Sequence, residues 1–294
     1  MEVRTRFAPS PTGLLHIGGV RTALFEILLA HHHKGVAILR IDDTDRERLV
    51  PGAVEALISD LRWVGLIFDE GPYAQSERRR FYLKAWQSLR DRGFIYPCTC
   101  SRKDVTLSAG APNEGDDEPM YPGTCRLARS RAAVSGPASL RGRGTAEAAV
   151  ATCSVPGSQP GEANWRFRVP DGEEIRFNDL HLGPQRFVAG EDFGDFVVWR
   201  RDDVPAYQLA CVVDDAAMQI TEVVRGADLL KSTARQILLF RALGLATPDY
   251  YHCDLVRDDA GVRLAKRHDA LSIRRLRELG WTPEQVRAGD AGAE

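Results

Sequence analysis

Between residues 3 and 41 the apolar residues come in blocks that admit few folds. Residues 3–8 are short and extended, and Pro9-Ser10-Pro11-Thr12-Gly13 must be a turn, because prolines and a glycine at this density interrupt any regular element. Residues 20–29 are apolar enough for a buried helix, and Val36-Ala37-Ile38-Leu39-Arg40-Ile41 reads as a second, buried strand. A strand, a turn, a helix and a strand predict a parallel sheet covered by helices, the first half of a nucleotide-binding α/β fold. Helices are expected at 53–64 and at 77–92, the latter behind Ser76 as N-cap, and at 228–243, closed by Gly244. Strands are expected at 165–169, 195–199 and 218–224, and one or two short helices after Ala270.

The 294 residues, 44% of them hydrophobic, are enough for about two domains with a large core. Lys and Arg number 39 against 41 Asp and Glu, a net charge of −2, which excludes both a disordered polyelectrolyte and a uniformly basic coat for nucleic acid. No apolar run reaches the roughly 18 to 20 residues that span a bilayer, and the start of the sequence has no apolar signal-peptide centre. A soluble, cytoplasmic protein that meets no membrane is expected. In that reducing setting the 6 cysteines point to metal rather than disulfides where they cluster, at Cys98, Cys100 and Cys125. Cys153, Cys211 and Cys253 stand apart and read as core or bystander residues. Residues 101–164 are rich in Gly, Ser, Ala and Pro, with an acidic run at 114–118, and look like an insertion. Within it Arg126, Arg129, Arg131, Arg141 and Arg143 could meet phosphates or form an ordinary solvated face.

The string from Arg6 to Gly19, Arg6-Phe7-Ala8-Pro9-Ser10-Pro11-Thr12-Gly13-Leu14-Leu15-His16-Ile17-Gly18-Gly19, carries the densest chemistry. A helix starting near His16 aims backbone N–H groups at an anion, and Gly18 and Gly19 remove side chains that would hold a ligand off the backbone. His16 itself reads as a phosphate donor or as an ordinary helix-entry histidine. The whole string resembles the first signature of class I aminoacyl-tRNA synthetases, and Arg40-Ile41-Asp42-Asp43-Thr44-Asp45 is similar to their glutamate-specific branch. Val223-Val224-Arg225-Gly226-Ala227-Asp228-Leu229-Leu230 resembles the family's strand-to-helix segment at the amino-acid pocket, and Arg263-Leu264-Ala265-Lys266-Arg267 its mobile ATP-binding loop.

The resemblance implies a Rossmann-like catalytic domain and an adenylation reaction, in which the α-carboxylate of L-glutamate attacks the α-phosphorus of ATP, with Mg2+, and pyrophosphate leaves. It implies His16 and Lys266 as the catalytic phosphate contacts, joined by Gly18 and Gly19 around ATP. It also implies Arg6 and Arg225 on the side-chain carboxylate, Asp42 on the ammonium, and Ser10 and Tyr207 as hydrogen-bonding partners. Three thiolates are one ligand short of a common zinc site, and no histidine lies between 34 and 180 to complete it, whereas Tyr121 could offer a phenolate. Tyr96-Pro97-Cys98-Thr99-Cys100 followed by Tyr121-Pro122-Gly123-Thr124-Cys125 resembles the zinc site of the short glutamyl-synthetase paralogues that act on queuosine in tRNA. That implies one structural Zn2+ per chain on Cys98, Cys100, Tyr121 and Cys125.

The sequence departs from the family at Gly19, where many relatives carry histidine, at Arg263 and Ala265, where lysine and serine are common, and at Asp42, where glutamate is usual. Only 28 residues follow Lys266, too few for the helical region with which a full glutamyl-tRNA synthetase reads the anticodon. The resemblance is therefore to the short paralogues, and it implies tRNA-independent activation of glutamate and its transfer to queuosine at the wobble position of tRNA(Asp); a monomer is expected. A minimal enzyme that esterifies the terminal ribose of tRNA, and a silent glutamate- or RNA-binding module, are the alternatives. The expected organisation is a first catalytic half at 1–94, an inserted zinc- and acceptor-binding subdomain at 95–194, a second catalytic half at 195–255, and the mobile loop with a short helical tail at 256–294.

Overall fold

A computed structural model describes residues 2–101, 103–105, 120–126, 159–255 and 272–288. Most of the expected insertion, with the acidic run and Arg129 to Arg143, lies outside them, as do Cys153, Arg263, Ala265 and Lys266. The first strand, β1 (Arg4–Phe7), is followed by α1 (Ile17–His32), β2 (Val36–Ile41), α2 (Ala53–Trp63), β3 (Glu70–Ala74) and α3 (Arg79–Asp91). Then come β4 (Ile95–Cys98), β5 (Asn164–Phe167), β6 (Glu174–Asp179), β7 (Gly183–Val188) and β8 (Phe196–Trp199). The chain continues through α4 (Tyr207–Ala217), β9 (Glu222–Gly226), α5 (Leu230–Leu243), β10 (Asp249–Cys253), α6 (Ile273–Glu278) and α7 (Pro283–Ala288).

Among the described residues the strands form three sheets. β1, β2 and β3 are parallel, β4, β5 and β8 are antiparallel, and β7-β6-β10-β9 is antiparallel at the β6–β7 hairpin and parallel elsewhere. The apolar side of α1, with Val20, Ala23, Ile27 and Ala30, packs on Ala37, Leu39 and Ile41 of β2 and on Leu57 and Leu61 of α2, which is why those runs are unbroken in sequence. A second core gathers around Trp86, Trp165 and Trp199, with the first two rings edge-to-face at 4.8 Å.

What positions the site is the relation of β1 to β9. Arg4 N–H donates to Thr221 Oγ1 at 2.7 Å and Arg4 O accepts Thr221 N–H at 2.9 Å, which ties the two strands at their starts. Past that tie their C-terminal ends flank a cleft, with β2 and β3 on one side and β10 on the other. The strand order reverses there, the place where open α/β sheets take ligands. The second catalytic half is not separate from what precedes it, since β6 and β7 share a sheet with β9 and β10 while β8 pairs with β5.

Two local expectations are corrected. Ser76 is not an N-cap: it lies inside a 3-10 turn over Gln75–Arg78, where its hydroxyl and N–H donate to the Asp43 carboxylate at 2.6 and 2.8 Å, and α3 starts three residues later behind Arg78. Residues 218–221 are not strand. Met218 closes α4, and Gln219 holds φ +55, a left-handed turn from which the chain only then enters β9. The helix that precedes it, α4, was not foreseen. Gly244 does close α5, at φ +70. Among the described residues no helix is long and apolar enough to cross a membrane.

Candidate functional site

The cleft between β1 and β9 encloses about 310 Å³, and Arg6, Asp42, Tyr207 and Arg225 line it together with Gly18 and Gly19 of α1. Its β1 wall is a buried ionic network. Arg6 Nε donates to Asp215 Oδ1 at 3.0 Å, and Arg40 Nη1 donates to the same oxygen at 2.7 Å. Arg40 also holds Asp42 with both arms, Nε to Oδ1 at 2.7 Å and Nη2 to Oδ2 at 3.3 Å, and the Cys211 thiol faces Asp42 Oδ2 at 3.7 Å. Burial works against the charge on Asp215, but Arg6 and Arg40 outweigh it and hold that carboxyl below the usual carboxylate range. At Asp42 burial wins instead and pushes the carboxyl up, against the pull of Arg40.

The β9 wall is set by a chain of hydrogen bonds behind Arg225. Asp179 and His252 are fully buried, and Asp179 Oδ2 lies 2.6 Å from His252 Nδ1. Burial opposes the Asp179 charge, but His252 and the N–H groups of Leu182 and His181 keep it below the ordinary range, so it is an acceptor and Nδ1 carries the proton. Burial and the neighbouring Arg225 lower His252, against Asp179, and leave a neutral ring with a bare Nε2. That nitrogen faces the Thr233 hydroxyl at 2.9 Å and accepts from Arg225 Nε at 3.4 Å, while Arg225 Nη2 donates to Thr233 Oγ1 at 2.6 Å. The guanidinium is therefore fixed on one edge. Its other nitrogen, Nη1, is buried and has no partner among the described residues. A buried cationic donor without an acceptor on a cleft wall fits an anionic ligand, and a carboxylate matches its planar fork.

A second constellation lies at the end of β4. The sulfurs of Cys98, Cys100 and Cys125 all lie within 4.8 Å of one another. Cys100 Sγ is 3.6 Å from Cys125 Sγ, and the Tyr121 hydroxyl is 3.4 Å from Cys98 Sγ and 3.7 Å from Cys100 Sγ. Two ligands held tetrahedrally at about 2.3 Å from zinc stand about 3.8 Å apart, so four donor atoms at these spacings fit one tetrahedral dication. The Arg166 guanidinium lies 3.9 Å over the Tyr121 ring and its Nε is 3.3 Å from Cys98 Sγ. Arg126 is not part of a free basic surface, because it pairs with Asp171 at 2.7 Å and with Asp195 at 3.4 Å.

A family model of tRNA synthetases class I (E and Q), catalytic domain, matches residues 2–289. The chain belongs to this family of class I tRNA synthetases. It is 44% identical over 294 residues to glutamate–tRNA ligase 1 of Halorhodospira halophila, covering 97% of this chain and 57% of that one. It is 48% identical over 290 residues to the glutamyl-Q tRNA(Asp) synthetase of Symbiobacterium thermophilum, covering 96% of this chain and 83% of that one. Among solved structures, the glutamate tRNA ligase of Elizabethkingia meningosepticum in complex with its amino acid superposes with a TM-score of 0.72 at 32% identity, over 96% of this chain and 54% of that one. The chain thus spans little more than half the length of the glutamate–tRNA ligases it matches.

Against the class I synthetase pattern, the fold brings Arg6, Asp42, Tyr207, Arg225, Gly18 and Gly19 to one cleft. Tyr207 is 38% exposed there. Ser10 is exposed and does not line the cleft, its backbone oxygen taken by Thr12 N–H at 2.8 Å. His16 is the residue before α1, bridges Ser272 and is not among the residues that line the cleft, whereas Asp254 and Leu255 are. Sequence reasoning passed over Asp215, Cys211 and Glu26 on the β1 side and Asp179, Thr233 and His252 on the β9 side. For Asp215 a signal existed, since Asp214-Asp215 closes an otherwise apolar run. Asp179 and His252 are 73 positions apart and only the parallel pairing of β6 with β10 brings them together.

Proposed function

We propose that the chain activates L-glutamate with ATP and Mg2+, without tRNA, and transfers the glutamyl group to queuosine in tRNA(Asp). The observation that carries the first step is Arg225 Nη1, a buried guanidinium donor left unpartnered on the cleft wall opposite Arg6. In this reading Arg6 and Arg225 receive the side-chain carboxylate, Asp42 the ammonium, and Tyr207 adds a hydrogen bond, while Ser10, outside the cleft lining, is left without that role. The N-terminal end of α1 with His16, Gly18 and Gly19 receives the phosphates of ATP together with Lys266. One α-carboxylate oxygen attacks the α-phosphorus in line, and pyrophosphate leaves with the electron pair of the broken P–O bond. No enzyme nucleophile is needed. The residues position the two substrates and neutralise the negative charge on the oxygens of the α-phosphoryl group and of the leaving pyrophosphate. A hydroxyl of the queuosine cyclopentene diol then attacks the acyl carbon and AMP leaves.

The acceptor half of the reading rests on the relatives. Two named glutamyl-Q tRNA(Asp) synthetase, from Symbiobacterium thermophilum and Nitratidesulfovibrio vulgaris, align over 83% and 82% of their lengths, and the Cys-x-Cys and Tyr-x-x-x-Cys spacing resembles the short paralogues. Zn2+ on Cys98, Cys100, Cys125 and Tyr121 would tie β4 to residues 121–125 and so hold that face in shape. The 44% identity to a glutamate–tRNA ligase favours the second reading, esterification of the terminal ribose.

Labelled glutamate, ATP and Mg2+ with tRNA(Asp) that contains or lacks queuosine separates the two, once nuclease digestion maps the label. Label in the anticodon-loop fragment of queuosine-containing tRNA alone is the expected result. Label on the 3′-terminal adenosine of both tRNAs would replace this reading with the second.

A further inference from the structure

Glu26 lies in the middle of α1, on the floor of the cleft, and is 1% exposed. Its Oε1 is 3.8 Å from Arg6 Nη1, too far for a hydrogen bond, and its Oε2 has no hydrogen-bond partner. On the β1 side of the cleft the charges around it are already matched, Arg225 belonging to the facing wall. Arg6 gives Nε to Asp215, Arg40 shares Asp215 and holds Asp42, so two guanidinium groups face two carboxylates. An ionised Glu26 would leave this buried group with one uncompensated negative charge, and would do so beside a cleft that receives an anion. With a proton on Glu26 the group is neutral. The side chain then carries an O–H, and Oε2 makes no hydrogen bond among the described residues.

We propose that Glu26 is a neutral-acid binding residue, whose O–H is donated to a carboxylate oxygen of the bound amino acid beside the guanidinium groups of Arg6 and Arg225. A carboxylic acid kept neutral by its surroundings is a strong donor to an oxyanion. The groups that face Glu26 are Arg6 on β1, Arg40 on β2, Asp215 on α4 and Cys253 on β10. Burial outweighs the two arginines and sets its carboxyl well above the usual range. As pH rises through that raised value the donor is lost, a carboxylate comes to face a carboxylate, and affinity for the amino acid falls. Asp42, held by both arms of Arg40, has no such free oxygen.

The proposal rests on glutamate activation, and the test keeps the two apart. ATP–pyrophosphate exchange is followed against glutamate concentration from neutral to alkaline pH for the full chain, Glu26→Gln and Glu26→Ala. The wild-type KM for glutamate is expected to climb with pH. Glu26→Gln, which keeps the shape and a neutral N–H donor, is expected to hold KM within about threefold and to flatten that climb, whereas Glu26→Ala raises KM by at least about tenfold with a smaller change in kcat. Equal damage from Gln and Ala would mean that Glu26 acts as an anion, as for an ammonium, and would overturn the proposal, as would an unchanged KM in Ala. The Gln variant decides the matter even if the Ala variant does not fold. No exchange with glutamate by the wild-type chain would sink the activation reading itself, and this proposal with it.

Discussion

Around the cleft each buried arginine is held by a carboxylate or a hydroxyl of the chain itself, whereas around the cysteines the donor atoms touch mainly one another. Arg6, Arg40, Asp42 and Asp215 form ion pairs of 2.7 to 3.0 Å, and Arg225 is fixed through Thr233 and His252. The cleft is thus shaped before any ligand arrives, and of the side chains that line it Arg225 Nη1 and Glu26 Oε2 are buried with no hydrogen-bond partner among the described residues. At the end of β4 three sulfurs and a phenol converge with contacts of 3.4 to 3.7 Å, spacings that suit a shared cation, and the phenol oxygen also accepts the Cys125 N–H at 2.7 Å. The cleft is preorganised by internal charge, whereas the cysteine cluster gathers donor atoms that could hold a metal.

The comparison breaks most visibly at Asp215. Asp215→Asn removes the shared partner of Arg6 and Arg40, and the loss of a buried pair of this kind costs about 3–5 kcal/mol, read from the midpoint of urea unfolding. The sign with pH follows from the lowered carboxyl: its contribution is complete above the unfolded value of about 3.9 and is lost as pH falls from there toward the lower folded value, so the gap between wild type and variant should close on acidification. A gap that is constant with pH would contradict the ionic account.

Next in size is Arg225→Ala. It should lower kcat/KM for glutamate-dependent pyrophosphate exchange about 10²–10³-fold, the range for truncating one member of a buried charged contact, while the protein stays folded. Cys125→Ser sharpens the other side of the comparison. Bound zinc, measured by atomic absorption, should fall below one per chain, and glutamate activation should survive, because no residue of the cysteine cluster lines the cleft. Unchanged metal content, or a loss of activation equal to that of Arg225→Ala, would show the two regions to be one. The smallest effect is Thr233→Val, which removes one hydrogen bond to Arg225 and should raise KM for glutamate by roughly tenfold with little change in kcat.

How much of this was legible in the sequence differs between the same two regions. The strand-turn-helix at 4–32 and the strand at 36–41 follow from apolar runs that face a core on both sides, and Arg6, Asp42 and Arg225 lie in strings whose order in the chain matches the family. The cysteine spacing likewise announced a cluster before its sulfurs could be placed. What supports Arg225 was not legible. Asp179, Thr233 and His252 belong to three elements, and their meeting depends on β6 running parallel to β10 and on the packing of α5 over that sheet. Helix α4 was hidden for another reason: eight of its eleven residues are buried, so its apolar run shows no alternation between faces, and its two acids look out of place until Arg40, Arg78 and Tyr82 are brought to them. Glu26 shows no signal at all, since an acid on a helix is most often solvated.

The most direct test of the account is ATP–pyrophosphate exchange by the full chain with Mg2+ and no RNA of any kind, comparing glutamate, glutamine and aspartate. Exchange that depends on glutamate and is far weaker with the other two is the predicted result, since in the proposed reading Arg6 and Arg225 receive the side-chain carboxylate of glutamate. Exchange only when tRNA is added, or exchange that does not distinguish glutamate from glutamine, would contradict it.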